Sequence, residues 1–422
     1  MRRSLFDREL LPGASARWLR DVGPLEPTGR VFVLIALALV LIGVVAVYSA
    51  STAVGSVGHA DAALFLKKQV AWGLLGVTCM ALAMRVDLRR LQGAALPLLV
   101  VAVVLLVAVL VPALAPKING ARRWLRIDAL GLSAQPSELA KVALVLWLAT
   151  HLARNAFRLH DWRRGTLPAI VPLGLVAFLV LVEPDFGTAL FLGAIGLAML
   201  LVGGVPWARL LLLGVYALPA VAWQVSERWD VFASRFAAVG ADAAARGAGY
   251  QIEQSMIALG GGGLVGRGLG AGRQKLFFLP EARTGFMLAT VGEEVGFVGS
   301  AGVGLLCAAL VLCGMRIAAG AARRDRFAFL LGFGLVFWIG LQAAGNVAVV
   351  TASVPTKGIA LPFLSFGGSS MLVLCVAVGL VYAVTRHVDR LAAADPRPGP
   401  EAPRGALAGS QDPAAALGGG LA

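Results

Sequence analysis

Between Val31 and Ala50 the chain runs for a full helical span without a charged side chain. An α-helix of about 20 apolar residues crosses the roughly 30 Å hydrocarbon core of a bilayer. Comparable apolar runs recur near Val70–Met84, Ala94–Ala115, Leu139–Ala153, Leu167–Val182, Thr188–Gly204 and Ala208–Val225, then at Phe297–Met315, Phe327–Val350 and Ser369–Thr385. The runs short of twenty residues are extended by flanking aromatics and snorkelling Arg side chains. The repetition predicts an all-α polytopic membrane protein of about ten transmembrane helices, with one large external loop, Ser226–Thr284, between the seventh and eighth. Composition agrees: 59% of residues are hydrophobic and 14% charged, against about a quarter charged in soluble domains.

The net charge of +14 raises nucleic-acid binding as a class, but the cations sit in short loops between apolar runs. The positive-inside rule accounts for them, and no nucleic-acid partner is expected. Arg85, Arg89 and Arg90, then Arg154, Arg158, Arg163 and Arg164, then Arg316, Arg323, Arg324 and Arg326 fall on one side if both termini are cytoplasmic. An apolar core of 7–15 residues marks a signal peptide, so the longer first run reads as a retained helix. Residues 1–30 form a cytoplasmic N-terminal segment and 31–390 the transmembrane domain. The Ala-, Gly- and Pro-rich tail, 391–422, is expected to be disordered. Cys79, Cys307, Cys313 and Cys375 lie inside apolar spans and read as small hydrophobes. The four histidines are too scattered to form a metal cluster.

Two outer loops break the charge rule. Pro116–Pro136 carries Lys117, Arg122, Arg123 and Arg126, and the long loop carries Arg267, Arg273, Lys275 and Arg283 among closely spaced glycines. Without a Gly-Lys-Ser/Thr ending or a strand–turn–helix setting, those glycines are no nucleotide fingerprint. A tightly turning segment is their plainest reading, while glycines interleaved with cations also suit an anion such as pyrophosphate. Ionisable residues at membrane depth add a second signal. Glu138 and Lys141 are one turn apart, Glu183 and Asp185 punctuate two spans, Glu293 and Glu294 adjoin another, and Lys357 follows Pro355. Such residues are costly in lipid and mark functional cavities, although Glu138 and Lys141 also form an ordinary i,i+3 pair. A polar cavity open to the outer face is the prediction.

The motifs INGARRWL (118–125), QPSELAK (135–141), EPDFGT (183–188), GYQIEQSMIALGGGGLVGRGLG (249–270), LPEARTGF (279–286), GEEVGF (292–297) and PTKGIALPFLSFGGSS (355–370) occur in order. Together they resemble the SEDS family of bacterial membrane proteins (shape, elongation, division and sporulation). GYQIEQS, GLGAGRQK and PTKG are more similar to its division members than to its elongation members.

The resemblance implies a peptidoglycan glycosyltransferase polymerising lipid II at the outer face of the cytoplasmic (inner) membrane, at the division septum. It implies as partners a class B penicillin-binding protein, which is a single-span transpeptidase, and other division proteins. In such a reaction the acceptor hydroxyl loses a proton, and cations or a divalent metal such as Mg stabilise the departing pyrophosphate. Arg122, Arg123, Lys141, Arg267 and Lys275 are the candidate cations. The family motifs extend the substrate-binding set to Glu138, Gln254, Ser255, Lys357, Ser365 and Ser369. One position departs from the pattern. The family's proposed catalytic Asp belongs to a Thr-Asp-Phe triplet, and here the triplet is Thr284-Gly285-Phe286. Gly285 can accept no proton, which leaves Glu281 or Asp185 as substitute carboxylates, or an altered, non-polymerising chain. A lipid II flippase and a division scaffold are the competing functions.

Overall fold

The computed structural model describes residues 24–55, 62–117, 121–127, 132–226, 229, 233, 248–276, 278–355 and 357–394. In chain order the elements are α1 (Glu26–Gly55), α2 (Ala62–Ala83), α3 (Leu88–Gly93), α4 (Ala95–Leu110), β1 (Leu125–Ile127), β2 (Leu132–Ala134) and α5 (Pro136–Arg154), followed by α6 (Leu167–Val182), α7 (Phe186–Val202), α8 (Trp207–Ser226) and α9 (Ala248–Gly262). The last three are α10 (Met287–Ala321), α11 (Arg326–Val350) and α12 (Gly368–Ala394). Each of the ten predicted spans corresponds to one helix, although α2, α4 and α7 stop short of the predicted ends at Met84, Ala115 and Gly204, so the chain is an all-α polytopic membrane protein. Among the described residues five stretches are individually long and apolar enough to cross a bilayer: Glu26–Ser51, Trp162–Val182, Met287–Ala321, Arg326–Val350 and Gly368–Ala394. The α4 and α7 helices are shorter apolar spans.

In hydrocarbon every backbone N–H and C=O must find a partner within the protein, which is why apolar runs of this length are helices. Local signals set their ends. Pro136 occupies the first turn of α5, where its missing N–H costs nothing. Asp185 caps α7 by accepting from Thr188 N, and Asp325 caps α11 by accepting from Ala328 N.

Helices α5 and α11 are buried on most sides, while α1 and α10 turn Leu41 (67% exposed) and Leu305 (71% exposed) outward. That outer apolar surface is unsuited to water and matches lipid. Small residues allow close helix approach: a Cβ on Gly379 of α12 would lie 2.5 Å from the Met80 carbonyl oxygen of α2. Both ends of the domain lie on one side, since Asp389 of α12 accepts from the N–H groups of Leu25 and Glu26 at the head of α1. The N-terminal residues 1–23, most of the long loop's first half (227–247) and residues 395–422 lie outside the described residues, while 391–394 continue α12.

Helix α10 extends ten residues further towards its N-terminus than the predicted span, and it is broken at Gly296 (φ 74°, ψ −169°). The glycine-rich segment repairs the break with its own backbone. Arg267 N donates to Glu293 O (3.1 Å) and Gly268 N to Glu294 O (2.9 Å), while Phe297 N and Val298 N donate to Gly263 O and Leu264 O (2.9 and 3.2 Å). A Cβ on Gly266 would lie 2.2 Å from Glu294 O, and one on Gly296 2.4 Å from Gly266 N. The glycines of this stretch therefore serve backbone-to-backbone packing. The N–H groups of Arg267 and Gly268 are spent on α10 rather than presented to an anion, which corrects the pyrophosphate-cradle reading of the loop at those positions.

Candidate functional site

Four segments distant in sequence meet at the end of the bundle opposite the Asp389 contact. They are 121–123, the 183–188 connector between α6 and α7, the 281–286 turn before α10, and 357–369 leading into α12. Asn346, fully buried on α11, joins two of them: its Nδ2 donates to Gly285 O (2.8 Å) and Ile359 O (2.6 Å). Ser365 Oγ donates to Thr284 O (2.6 Å) and accepts from Leu361 N (2.8 Å), and Phe366 N donates to Arg283 O (2.8 Å). The Arg283 guanidinium lies 4.3 Å from the Phe65 ring centroid, itself in edge contact with Phe366.

The charged centre is built on the 183–188 connector. Lys357 Nζ lies 3.8 Å from Asp185 Oδ1, and Asp185 Oδ2 accepts from Thr188 Oγ1 (2.8 Å). Arg123 clamps the same connector, its Nε donating to Glu183 O at 3.4 Å and its Nη2 to Pro184 O. Burial would raise the Asp185 carboxyl, but the Lys357 and Arg123 charges and the Thr188 hydrogen bonds outweigh it and hold it below the usual carboxylate range. Glu183 behaves oppositely. It is fully buried and neither carboxyl oxygen has a hydrogen-bond partner among the described residues. Burial, reinforced by the Asp185 charge and opposed by Arg123, pushes its carboxyl up to about 8.

The other sequence candidates have separate partners. Lys141 Nζ pairs with Glu138 Oε1 at 2.9 Å, both nearly buried, and stands 4.8 Å from the Trp338 ring. From Trp338 a polar stripe follows α11, with Trp338 Nε1 donating to Gln342 Oε1 and Gln342 Nε2 to Ala360 O, then Asn346 at the charged end. Arg122 donates to the carbonyls of Pro112 and Ala115. Ser369 Oγ accepts from Gln135 N (3.3 Å).

Lys275 is buried between α1 and α10, with Nζ 2.6 Å from Glu294 Oε1 and hydrogen-bonded to Ser49 O and Oγ. Arg267 faces Glu293 at 3.6 Å, and the Glu293 carboxylate accepts from the N–H groups of Arg273 and Gln274. Ser255 Oγ donates to Val350 O, closing the end of α11, and Gln254 is half-buried beside it. Glu281 is exposed and accepts from the Thr284 hydroxyl. Among the described residues no contact joins Arg122, Lys141 and Lys275; each is held by its own partners. An apolar cleft of about 290 Å³ between α1 and α10, bordered by Leu41, Val45, Leu269 and Val291, is lined by other residues than the Asp185–Lys357 centre.

Sequence reasoning missed Asn346 and Gln342, placed Arg283 only among the long loop's cations, and named Glu183 as an ionisable residue at membrane depth while choosing its neighbour Asp185 as a site residue. The signal for the first two was present: polar side chains four residues apart inside the apolar run Phe327–Val350. Among the described residues no group of three His, Cys, Asp or Glu side chains converges to hold a metal ion.

The fold and the site define a polytopic membrane protein with a buried acid–cation centre at one membrane face. The chain belongs to the FtsW/RodA/SpoVE family of cell cycle proteins, whose profile matches residues 29–390. It is 39% identical over 355 residues to the probable peptidoglycan glycosyltransferase FtsW of Trichlorobacter lovleyi, covering 84% of this chain and 92% of that protein. It is 37% identical over 358 residues to stage V sporulation protein E of Bacillus subtilis, covering 84% and 96%. Among solved structures it is similar to the rod shape determining protein RodA of Thermus thermophilus (TM-score 0.60, 29% identity, 84% and 95% covered). It is also similar to a chain from a peptidoglycan synthase complex described as coordinating polymerization and crosslinking (TM-score 0.65, 28% identity, 85% and 97% covered).

Proposed function

We propose that this protein is a peptidoglycan glycosyltransferase that polymerises lipid II at the outer face of the cytoplasmic membrane during cell division. The observation that carries the reading is the meeting of Asp185, Lys357 and Arg123 with the Gly285 turn, in a chain about 39% identical to proteins named for that activity. The reaction forms a bond between an acceptor hydroxyl oxygen and the donor's anomeric carbon, breaks that carbon's bond to diphosphate, and releases the hydroxyl proton. Arg123 and Lys357 supply fixed positive charge where the diphosphate departs, and a low-dielectric setting strengthens it. Asp185 is the carboxylate beside those cations that is placed to take the proton; Glu281 lies on the exposed rim. A divalent cation such as Mg remains a separate proposal, since the described residues offer no set of three ligands for it.

The relative from a complex that coordinates polymerization and crosslinking supports a crosslinking partner, which we take to be a class B penicillin-binding protein; the septal location and the other division proteins follow from the family resemblance, and the cytoplasmic termini from the Arg-rich short loops. A scaffold is the second reading, favoured by Gly285 alone. The test is polymerisation of lipid II by the purified full-length chain with and without that transpeptidase. Glycan strands confirm the enzyme. Inactivity of both the native chain and Gly285→Asp, with the partner present, supports the scaffold.

A further inference from the structure

The cleft of about 290 Å³ between α1 and α10 has an apolar lining, made by Leu41, Val45 and Ala46 of α1, Val291 of α10 and Leu269 of the glycine-rich segment. Leu41, Val45 and Leu269 are exposed, so the cleft faces the surrounding lipid. Two polar residues also border it, and both have partners. Glu294 accepts from Lys275 Nζ and Ser49 Oγ, and Thr290 Oγ1 donates to Ala282 O at 3.3 Å. With those groups matched, the cleft suits a hydrocarbon chain rather than a polar ligand.

Each wall runs directly into the charged end of the molecule. The Thr290 hydrogen bond ties the α10 wall to the 281–286 turn, which holds Gly285. On α1, Gly43 follows the lining residue Ile42 and packs against the 357–369 segment. A Cβ on Gly43 would lie 2.9 Å from Leu364 Cα and collide with the Phe363 carbonyl oxygen. Ser365 Oγ, donating to Thr284 O, joins the two segments to each other. The cleft therefore adjoins, from the lipid side, the turn and the segment that carry Gly285 and Lys357.

We propose that this cleft seats the part of a lipid-linked diphosphate's hydrocarbon chain nearest its headgroup, with the diphosphate at the 281–286 turn. The inference takes its substrate class from the glycosyltransferase reading and rests on it. From Leu41 to Ala46 a helix rises about 7.5 Å, so the cleft holds the start of the chain and the bilayer keeps the rest. A chain passing from bilayer to cleft gains little from burial, because lipid tails are as apolar as the side chains that line it. What the seat supplies is orientation. A chain fixed near its head holds the diphosphate in one place relative to Arg123 and the Gly285 turn, and a misplacement of about 1 Å can cost on the order of 10²-fold in rate.

The test uses the full-length chain in phosphatidylcholine vesicles and a polyprenyl diphosphate with a diazirine beside its diphosphate end. Illumination is expected to label residues 41–46 and 290–295, with unlabelled polyprenyl diphosphate competing and phosphatidylglycerol not. Label spread evenly over the lipid-facing helices, or competition by phosphatidylglycerol, overturns the inference. Ala46→Phe fills the cleft, and Val45→Trp replaces it if that variant does not fold. The folded variant should lose most of the labelling at 290–295 and about tenfold or more in lipid II turnover, with a melting temperature close to that of the native chain. A filled cleft that keeps native labelling or native turnover overturns the inference as well. Polymerisation by a native chain labelled elsewhere would leave the glycosyltransferase reading standing. A native chain labelled in the cleft that makes no glycan would remove that reading and keep the lipid seat.

Discussion

A β-carbon built on Gly285 would lie 3.1 Å from the Cα of Gly358, the residue after Lys357. Gly285 does not use the left-handed region of backbone space, so a side chain there meets only a tight contact that a few tenths of an ångström of movement relieves. Gly358 has open space on its own Cβ side. A carboxylate at 285 would enter beside the Lys357 loop. Gly285→Asp is therefore expected to fold and, if the triplet carboxylate is a general base, to raise lipid II polymerisation, an effect typically on the order of 10²–10⁴-fold. A fully active native chain that Gly285→Asp leaves unchanged would place the base elsewhere, and the rates of Asp185→Asn and Glu281→Gln would then decide where.

The Lys357 side chain crosses the face of Gly187, where a Cβ would fall 0.7 Å from Nζ. The group in the way is the end of a flexible chain, so Gly187→Ala should displace the ammonium from Asp185 rather than unfold α7. Turnover is expected to fall with Gly187→Ala as it does with Lys357→Met, with melting temperatures close to that of the native chain. Normal turnover in a folded Gly187→Ala protein would show that the Asp185–Lys357 contact is dispensable.

Lys275 and Glu294 form an ion pair whose side chains are 2% and 3% exposed. Removing one partner of a buried pair strands the other charge and costs about 3–5 kcal/mol, whereas removing both is close to neutral. Lys275→Met should lower thermal stability sharply, and Lys275→Met combined with Glu294→Gln should recover most of it. A loss of lipid II turnover in Lys275→Met without loss of stability would instead return Lys275 to the substrate-binding cations.

The short-loop Arg residues predict an orientation with both termini inside, and the Leu25–Asp389 contact requires only that the two ends share a side. A Cys introduced at Ala243, outside the described residues, should react with a membrane-impermeant thiol reagent in intact spheroplasts. Labelling only after lysis would invert the topology.

What the sequence determined by itself was local. Apolar runs of bilayer length specify helices because lipid offers the backbone no other partners, and ten such runs became ten helices. The charged motifs placed Arg123, Asp185, Lys357 and the Gly285 turn among the candidates. Tertiary structure decided which candidates share a centre. Lys275 and Arg267 look equivalent to Arg123 and Lys357 as cations in outer loops, yet Lys275 is buried against Glu294 and Ser49 while Arg123 reaches the 183–188 connector. The break in α10 depends on Gly296 meeting Gly266, and the site's alignment on Asn346 bridging Gly285 and Ile359. These pairings join segments tens of residues apart, so periodicity and motif order carry no trace of them; they exist only once helix packing has fixed the distances.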